Sequence, residues 1–372
     1  MFKILARDSQ SRARAGILET AHGLVETPAF FPVATQAAVK TLSQQELYQI
    51  HVQGLLANTY HLSLRPGADV LEKAGGLHAF MGWNRPILTD SGGFQVMSLA
   101  RFRDMDEDGV SFRSHHDGSL HRLTPERVMD LQWSMGSDIL TCLDVCLSYP
   151  CGAEEARDAL KRTQHWAERS LEAHRSWKEK TGLQRRLFGI LQGSVYPELR
   201  AQGAQWLSER PFDGFAVGGL SVGEPKDRTW AALEAAVLRL PQDRPVYLMG
   251  VGTPEDIQEA VLRGVDLFDC VWPTRNARNG QVLSFQGKVY IKNACYKQDF
   301  SPLEPGCDCF TCAHYSRSYL CHLYRSGEML APRLLSLHNV HFLVKWVRLL
   351  RDEILKGGLK SHAIAKPAFS FD

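Results

Sequence analysis

Short apolar runs alternate with longer amphipathic stretches along most of the chain. The runs are Gly54–Asn58, Pro86–Asp90, Asp138–Leu143, Leu187–Leu191, Gly214–Val217, Val246–Met249 and Val265–Phe268. Between several of them, apolar residues recur at helical spacing, as in Glu154–Lys180, Pro197–Glu209 and Lys226–Leu240. Thr253-Pro254-Glu255-Asp256 reads as a helix start, with a capping hydroxyl, proline first and an acid third. Serial strand–helix units predict a largely parallel sheet covered on both faces. Seven or more units in one chain favour an α/β fold of the (β/α)8 TIM barrel type over an open doubly wound sheet.

Polar or glycine residues recur just after the runs: Asp90, Asp144, Gln192, Gly218-Gly219, Gly250 and Asp269. In a barrel these strand ends converge on one rim, where catalytic residues gather. The barrel pattern stops near Lys292. A cysteine-rich stretch follows, and then a helix-like segment, Val340–Leu355.

Composition narrows the setting. The 372 residues are 44% hydrophobic and 23% charged, as in an ordinary globular protein able to bury a core without staples. No apolar run reaches the roughly 18–20 residues of a membrane span, and the opening segment lacks a signal-peptide core, so a cytoplasmic location is expected. Nine cysteines, an odd number in a long chain, suggest reduced thiols or metal ligands rather than a disulfide framework. A net charge of +2 decides nothing about partners; local clusters must do so.

Cys307-Asp308-Cys309-Phe310-Thr311-Cys312 puts three thiols within six residues, and His338 follows downstream. Closely spaced cysteines and a distant histidine fit a tetrahedral Cys₃His site. Thiolate plus imidazole suits zinc, and four protein ligands leave no open position, so one structural Zn2+ per subunit is expected. Spacing does not rank His338 against His314, His322, His341 or Cys321. The isolated Cys142, Cys146, Cys151, Cys270 and Cys295 read as small buried side chains. The organisation expected is a barrel catalytic domain over 1–292, a zinc-binding subdomain over 293–345, and a C-terminal helix and tail over 346–372 packing on the barrel.

Thr89-Asp90-Ser91-Gly92-Gly93-Phe94-Gln95-Val96 resembles a signature of the tRNA-guanine transglycosylase family. So do Gly189-Ile190-Leu191-Gln192-Gly193, Gly218-Gly219-Leu220-Ser221-Val222-Gly223-Glu224 and Tyr247-Leu248-Met249-Gly250-Val251-Gly252. Phe268-Asp269-Cys270-Val271-Trp272-Pro273-Thr274-Arg275 and the cysteine–histidine pattern complete a collinear set spanning nearly the whole chain. The resemblance, closest to bacterial members, implies a (β/α)8 barrel with an inserted zinc subdomain, usually a homodimer. It implies exchange of guanine at the wobble position of a tRNA anticodon loop for a 7-deazaguanine, preQ1 or queuine, in queuosine modification.

The resemblance also implies roles. Exchange of one N-glycosidic bond for another needs C1′ held between departure and arrival, which a carboxylate nucleophile achieves through a glycosyl ester. By motif match, Asp269 is that nucleophile and Asp90 the general acid/base. Asp144 and Gln192 match positions that read the purine edge, with the Gly219-Leu220 backbone beside them. Ser91 and its glycines allow close approach of base or ribose. Phe94 and Met249 match positions that sandwich the base, and Arg275 and Arg278 would hold flanking phosphates of the tRNA. Read singly, Asp90 is also a good helix cap, Asp269 a salt-bridged strand end, Phe94 and Met249 core residues, and 275–280 a solvated loop.

The match departs at three places. Val145 stands where bacterial members carry an acid, Cys146-Leu147-Ser148 replaces Cys-Thr-Pro, and Ser194 replaces a glycine. An apolar residue at 145 would weaken preference for the cationic preQ1 and admit queuine, whereas Glu224 is retained. Two rivals use the same fold. A non-catalytic tRNA-binding subunit would lack a catalytic carboxylate, and both are present. A barrel metallohydrolase would need histidines on an early strand, whereas His115-His116 sits in a polar loop.

Overall fold

The computed structural model describes residues 1–99, 103–285 and 287–359. Eight parallel strands close into a barrel: β1 (Ala29–Ala34), β2 (Leu55–Asn58), β3 (Ile87–Asp90), β4 (Ile139–Thr141), β5 (Arg186–Leu191), β6 (Gly214–Val217), β7 (Val246–Leu248) and β8 (Leu267–Cys270). Strands β2 to β8 fall on the seven apolar runs, with ends shifted by one or two residues. They are nearly continuously buried, as both-face coverage requires. The unanticipated strand is β1, Ala-Phe-Phe-Pro-Val-Ala, where Pro32 weakens the strand signal. It closes the barrel by pairing with β8, Leu267 opposite Ala29 through Cys270 opposite Pro32.

The expected helices are present at Ala153–Thr181, Pro197–Ser208, Lys226–Val237 and Pro254–Leu262. Thr253 caps the last of these, its hydroxyl accepting from the Asp256 amide at 3.2 Å, with proline in the first turn. Two three-stranded antiparallel sheets, and a two-stranded one pairing Gln281–Val282 with Val289–Tyr290, were not anticipated. One three-stranded sheet, Arg103–Met105, Val110–Arg113 and Leu120–Leu123, is inserted between β3 and β4. The other, Phe2–Arg7, Arg14–Thr20 and Gly23–Thr27, covers the N-terminal ends of the barrel strands. The His22 amide at its hairpin tip donates to Asp138, just before β4, at 3.0 Å. Arg14 forks onto Asp266, just before β8, at 2.6 and 2.9 Å, and Asp266 also accepts from the Val246 amide. One end of the barrel is thereby plugged, leaving the C-terminal rim for chemistry.

The cysteine-rich stretch forms a 3-10 turn and two short helices, Phe310–His314 and Arg317–Arg325. It is inserted between β8 and a long helix, Leu330–Leu355, which lies against β1 and the Pro254–Leu262 helix. That helix starts ten residues before the expected Val340 and runs unbroken through the boundary expected at 345/346. Residues 334–340 are all buried, so its first turns carry no amphipathic stripe to read. Trp346 Nε1 ties it to the barrel by donating to the Pro254 carbonyl, and Arg351 ties it to the N-terminal sheet by donating to the Gly16 carbonyl. The tail from Lys360 onward, expected to pack on the barrel, lies outside the described residues. Among those residues, no helix is long and apolar enough to cross a membrane.

The Arg14–Asp266 pair, 3% and 0% exposed, gives the plug a direct test. Asp266→Ala leaves a buried guanidinium uncompensated, which costs about 3–5 kcal/mol. Urea unfolding of the variant is expected to show that loss, and a shift below about 1 kcal/mol would mean the pair does not anchor the plug.

Candidate active site and metal centre

A cavity of about 510 Å³ opens at the C-terminal rim. Asp90 ends β3 and Asp269 lies in β8. Ser91 and Phe94 follow β3, Asp144 follows β4, Gln192 follows β5, Gly219 and Leu220 follow β6, and Met249 follows β7. All of these, and Arg275 on the short helix after β8, line the cavity. Arg278, one turn further along that helix, does not; its Nη1 is buried without a partner.

The carboxylates are buried yet held by neutral donors. Asp90 accepts from Asn58 Nδ2 and, at 3.0 Å, from the Thr59 amide. Burial pushes its pKa up to about 7, the nearby Asp269 and Asp144 push the same way, and the Thr59 amide pulls against them. Asp269 Oδ1 accepts from the Tyr247 hydroxyl at 2.6 Å and the Gly250 amide at 2.7 Å. Burial raises the Asp269 pKa, and those two donors restrain the rise. Gly250 has φ +74°, a left-handed conformation that suits glycine and directs its N–H at the carboxylate.

A second polar array faces the same space. Asp144 Oδ1 accepts from the Ser91 hydroxyl at 2.8 Å, and its Oδ2 accepts from Gln192 Nε2 at 2.7 Å. Each oxygen keeps a further lone pair, enough to receive two adjacent N–H groups from a planar ligand. Gly219 has φ +65°, and a Cβ there would lie 2.3 Å from Gln192 Oε1, so only glycine lets the backbone pass so close. Arg200, wholly buried, braces this corner by donating to the carbonyls of Leu191, Ser194 and Gly219. Phe94 is 51% exposed at the mouth and so is not a core residue. Met249 is half-buried.

Two positions, Val145 and Glu224, stand away from the cavity, and Ser194 keeps the backbone of the glycine it replaces. Val145 does not line the cavity. It packs behind it, bordering a small void with Leu147, Ala156 and Ala159, and its amide donates to Thr163 Oγ1. Glu224 is likewise outside, accepting from the Ser221 and Val222 amides and from the Thr229 hydroxyl. Ser194 keeps a glycine-like φ of +48°. Sequence reasoning missed Asn58, His61, Cys146 and Tyr247, all of which line the cavity. Asn58 closes an apolar run and was visible in principle. Tyr247, inside a run, carries no signal that separates it from core.

Beside the barrel, Cys307, Cys309, Cys312 and His338 bring their ligand atoms within 4.8 Å of one another. His338 Nδ1 lies 3.8, 3.5 and 3.3 Å from the three sulfurs, and its Nε2 lies 2.7 Å from the Leu283 carbonyl. Donation to that carbonyl leaves Nδ1 bare and aimed at the thiols, the arrangement of a metal-ligating imidazole. Among the alternatives, His341 pairs with Asp308 and lies within 4.8 Å of the Cys307 sulfur, whereas His314 pairs with the Phe310 carbonyl and Cys321 with the Asn293 carbonyl.

Residues 8–366 match the family model described as queuine tRNA-ribosyltransferase. Curated relatives bearing that name match over nearly their whole lengths. One from Thermoanaerobacter sp. (strain X514) is 50% identical over 353 residues, 95% of this chain and 93% of the relative. One from Desulforudis audaxviator is 51% identical over 354 residues, with 95% and 94% covered. A third, from Syntrophobacter fumaroxidans, is 52% identical over 353 residues, with 95% and 93% covered.

The raised pKa of Asp90 has a thermodynamic signature. A carboxyl that binds its proton more tightly in the fold than in the unfolded chain stabilises the fold at low pH. That contribution is lost as pH rises from about 4 through about 7. The melting temperature of Asp90→Asn relative to wild type is therefore expected to climb across this window and level off above pH 8. A difference that stays flat from pH 4 to 8 would refute the raised value.

Proposed function

The chain belongs to the queuine tRNA-ribosyltransferase family, and on that premise we propose how its rim carries out base exchange. The enzyme is a pentosyltransferase that replaces guanine in tRNA by a 7-deazaguanine. The observation that carries the mechanism is the state of Asp269: Oδ1 is held by Tyr247 and Gly250, leaving Oδ2 to attack.

In the first half, Asp269 Oδ2 bonds to C1′ of the wobble nucleoside as the C1′–N9 bond breaks. The bonding pair leaves with guanine, and Asp90 delivers the proton that neutralises it. In the second half, the incoming base attacks C1′ through N9, the ester C–O bond breaks, and Asp90 recovers a proton from that base. A carboxyl with a pKa of about 7 suits both directions at neutral pH. Asp144 and Gln192, pre-set by Ser91, accept and donate along the purine edge. Phe94 and Met249 supply stacking surfaces, Gly219 and Leu220 line the base pocket, and Arg275 and Arg278 neutralise phosphates next to the flipped nucleotide. A wobble base in a loop is extruded at lower cost than one in a duplex.

Cys307, Cys309, Cys312 and His338 would hold one zinc ion, whose closed coordination supplies structural cross-linking. A homodimer is the assembly that the family resemblance implies. Nine free cysteines and a tRNA substrate support a cytoplasmic setting. PreQ1 is the base we favour, because Val145, the departure that suggested queuine, stands outside the cavity.

Exchange of radiolabelled guanine into unmodified tRNA with a G-U-N anticodon tests the chemistry. Wild type is expected to incorporate label, and Asp269→Asn to lose at least about a thousandfold, as for a removed nucleophile. A variant that retains a tenth of wild-type activity would exclude the covalent route. Metal analysis tests the second centre: wild type is expected to carry one zinc per chain and Cys312→Ala almost none, with lowered thermal stability. Zinc retained by that variant would exclude the assigned ligand set.

A further inference from the structure

The cavity wall continues into a group of imidazoles that base exchange does not use. His61 lies in the short helix Thr59–Leu62 that follows β2, and it lines the cavity. His115 and His116 lie in the loop between strands Val110–Arg113 and Leu120–Leu123. One ring nitrogen from each of the three falls within 4.8 Å of the others. Two further observations point to a ligand. His61 Nδ1 is buried with no hydrogen-bond partner, although buried polar atoms are ordinarily satisfied. His115 Nδ1 lies 2.9 Å from the Tyr60 hydroxyl. When Nδ1 donates to that oxygen, Nε2 is left as a bare lone pair on a fixed ring, as in ligating histidines.

We infer that His61, His115 and His116 form a second metal site, taking a transition-metal ion of the zinc, cobalt or nickel class. The group contains no carboxylate, which disfavours magnesium and calcium, whereas imidazole suits these softer ions. Three nitrogens leave a fourth position for water, so the site is open where the cysteine site is closed. Metal–nitrogen bonds of about 2.0–2.1 Å need nitrogens roughly 3.3 Å apart, so nitrogens already within 4.8 Å of one another have at most about 1.5 Å to close on binding. Lys40 and Arg65 are near enough to act on these imidazoles electrostatically. Their charge, and the absence of thiolate, make binding weaker and more readily reversed than at Cys307, Cys309, Cys312 and His338.

The test uses full-length protein with its cysteine site already filled with zinc, titrated with Co2+ and followed by visible absorption and calorimetry. One cobalt per chain is expected, with ligand-field bands but no thiolate-to-cobalt charge-transfer band. His116→Asn and His115→Asn, with unchanged circular dichroism, are each expected to weaken binding at least tenfold. His22→Asn, in the separate His22–His78–Asp138 cluster, is expected to leave it unchanged. No cobalt bound by wild type, binding that survives both loop substitutions, or binding lost in His22→Asn would each overturn the assignment.

Discussion

Three carboxylates, Asp90, Asp144 and Asp269, are buried in one cavity, and the rest of the rim is arranged around that cost. An isolated buried charge is heavily penalised, and like charges nearby add to the penalty. The chain answers with neutral donors: Asn58 and Thr59 for Asp90, Ser91 and Gln192 for Asp144, Tyr247 and Gly250 for Asp269. Such donors compensate partly and leave all three pKa values raised. At the opposite end of the barrel the solution differs. Asp266 meets Arg14 in a forked ion pair, and Asp138 meets His22 and His78. The Arg14–Asp266 ion pair stands where the chain needs an anchor, and neutral donors stand where the proposed chemistry would move a proton.

Holding the carboxylates in register requires strand ends that do not shift, which makes barrel closure a functional matter. β8 carries Asp269 and pairs with β1, and the Leu330–Leu355 helix lies against β1. That same helix carries His338, Trp346 and Arg351. A metal held by His338 and the cysteines therefore fastens the helix that covers the closing seam, about two turns from Trp346 and over three from Arg351. A metal there would act on catalysis through this packing and take no part in the chemistry.

Much of this was legible in the sequence, for a physical reason. Parallel strands buried on both faces read as short apolar runs, and polar residues terminating several runs can only meet at a rim. The cysteine triplet was equally plain. Its fourth ligand was not, because spacing cannot say which of several histidines on nearby helices turns inward. His338 faces the sulfurs, whereas His341, three residues on, faces Asp308. Residues such as Tyr247 stayed hidden because a functional hydroxyl inside an apolar run looks like core. The strand β1 was masked by Pro32, and the early turns of the Leu330–Leu355 helix by the burial of every residue from 334 to 340.

Val145 shows where reading a position by its neighbours in sequence fails. It follows Asp144 directly, yet in the loop after β4 the two residues border different spaces. Asp144 points into the cavity and Val145 into the packing between β4 and the Ala153–Thr181 helix. An acid-to-valine change here therefore cannot remove a charge that touches the base. Guanine and a 7-deazaguanine would also present the same hydrogen-bonding edge to Asp144 and Gln192 in the proposed pocket, so that edge would bind both alike and not choose between them. Choice among 7-substituents has to come from groups that line the cavity away from that edge. The loop after β6 is one such wall, and Glu224 fixes its shape from behind through the Ser221 and Val222 amides. In the proposed pocket, Glu224 would act on base selection through the backbone it holds, and Val145 by way of Gln192 and Gly219 across the small void.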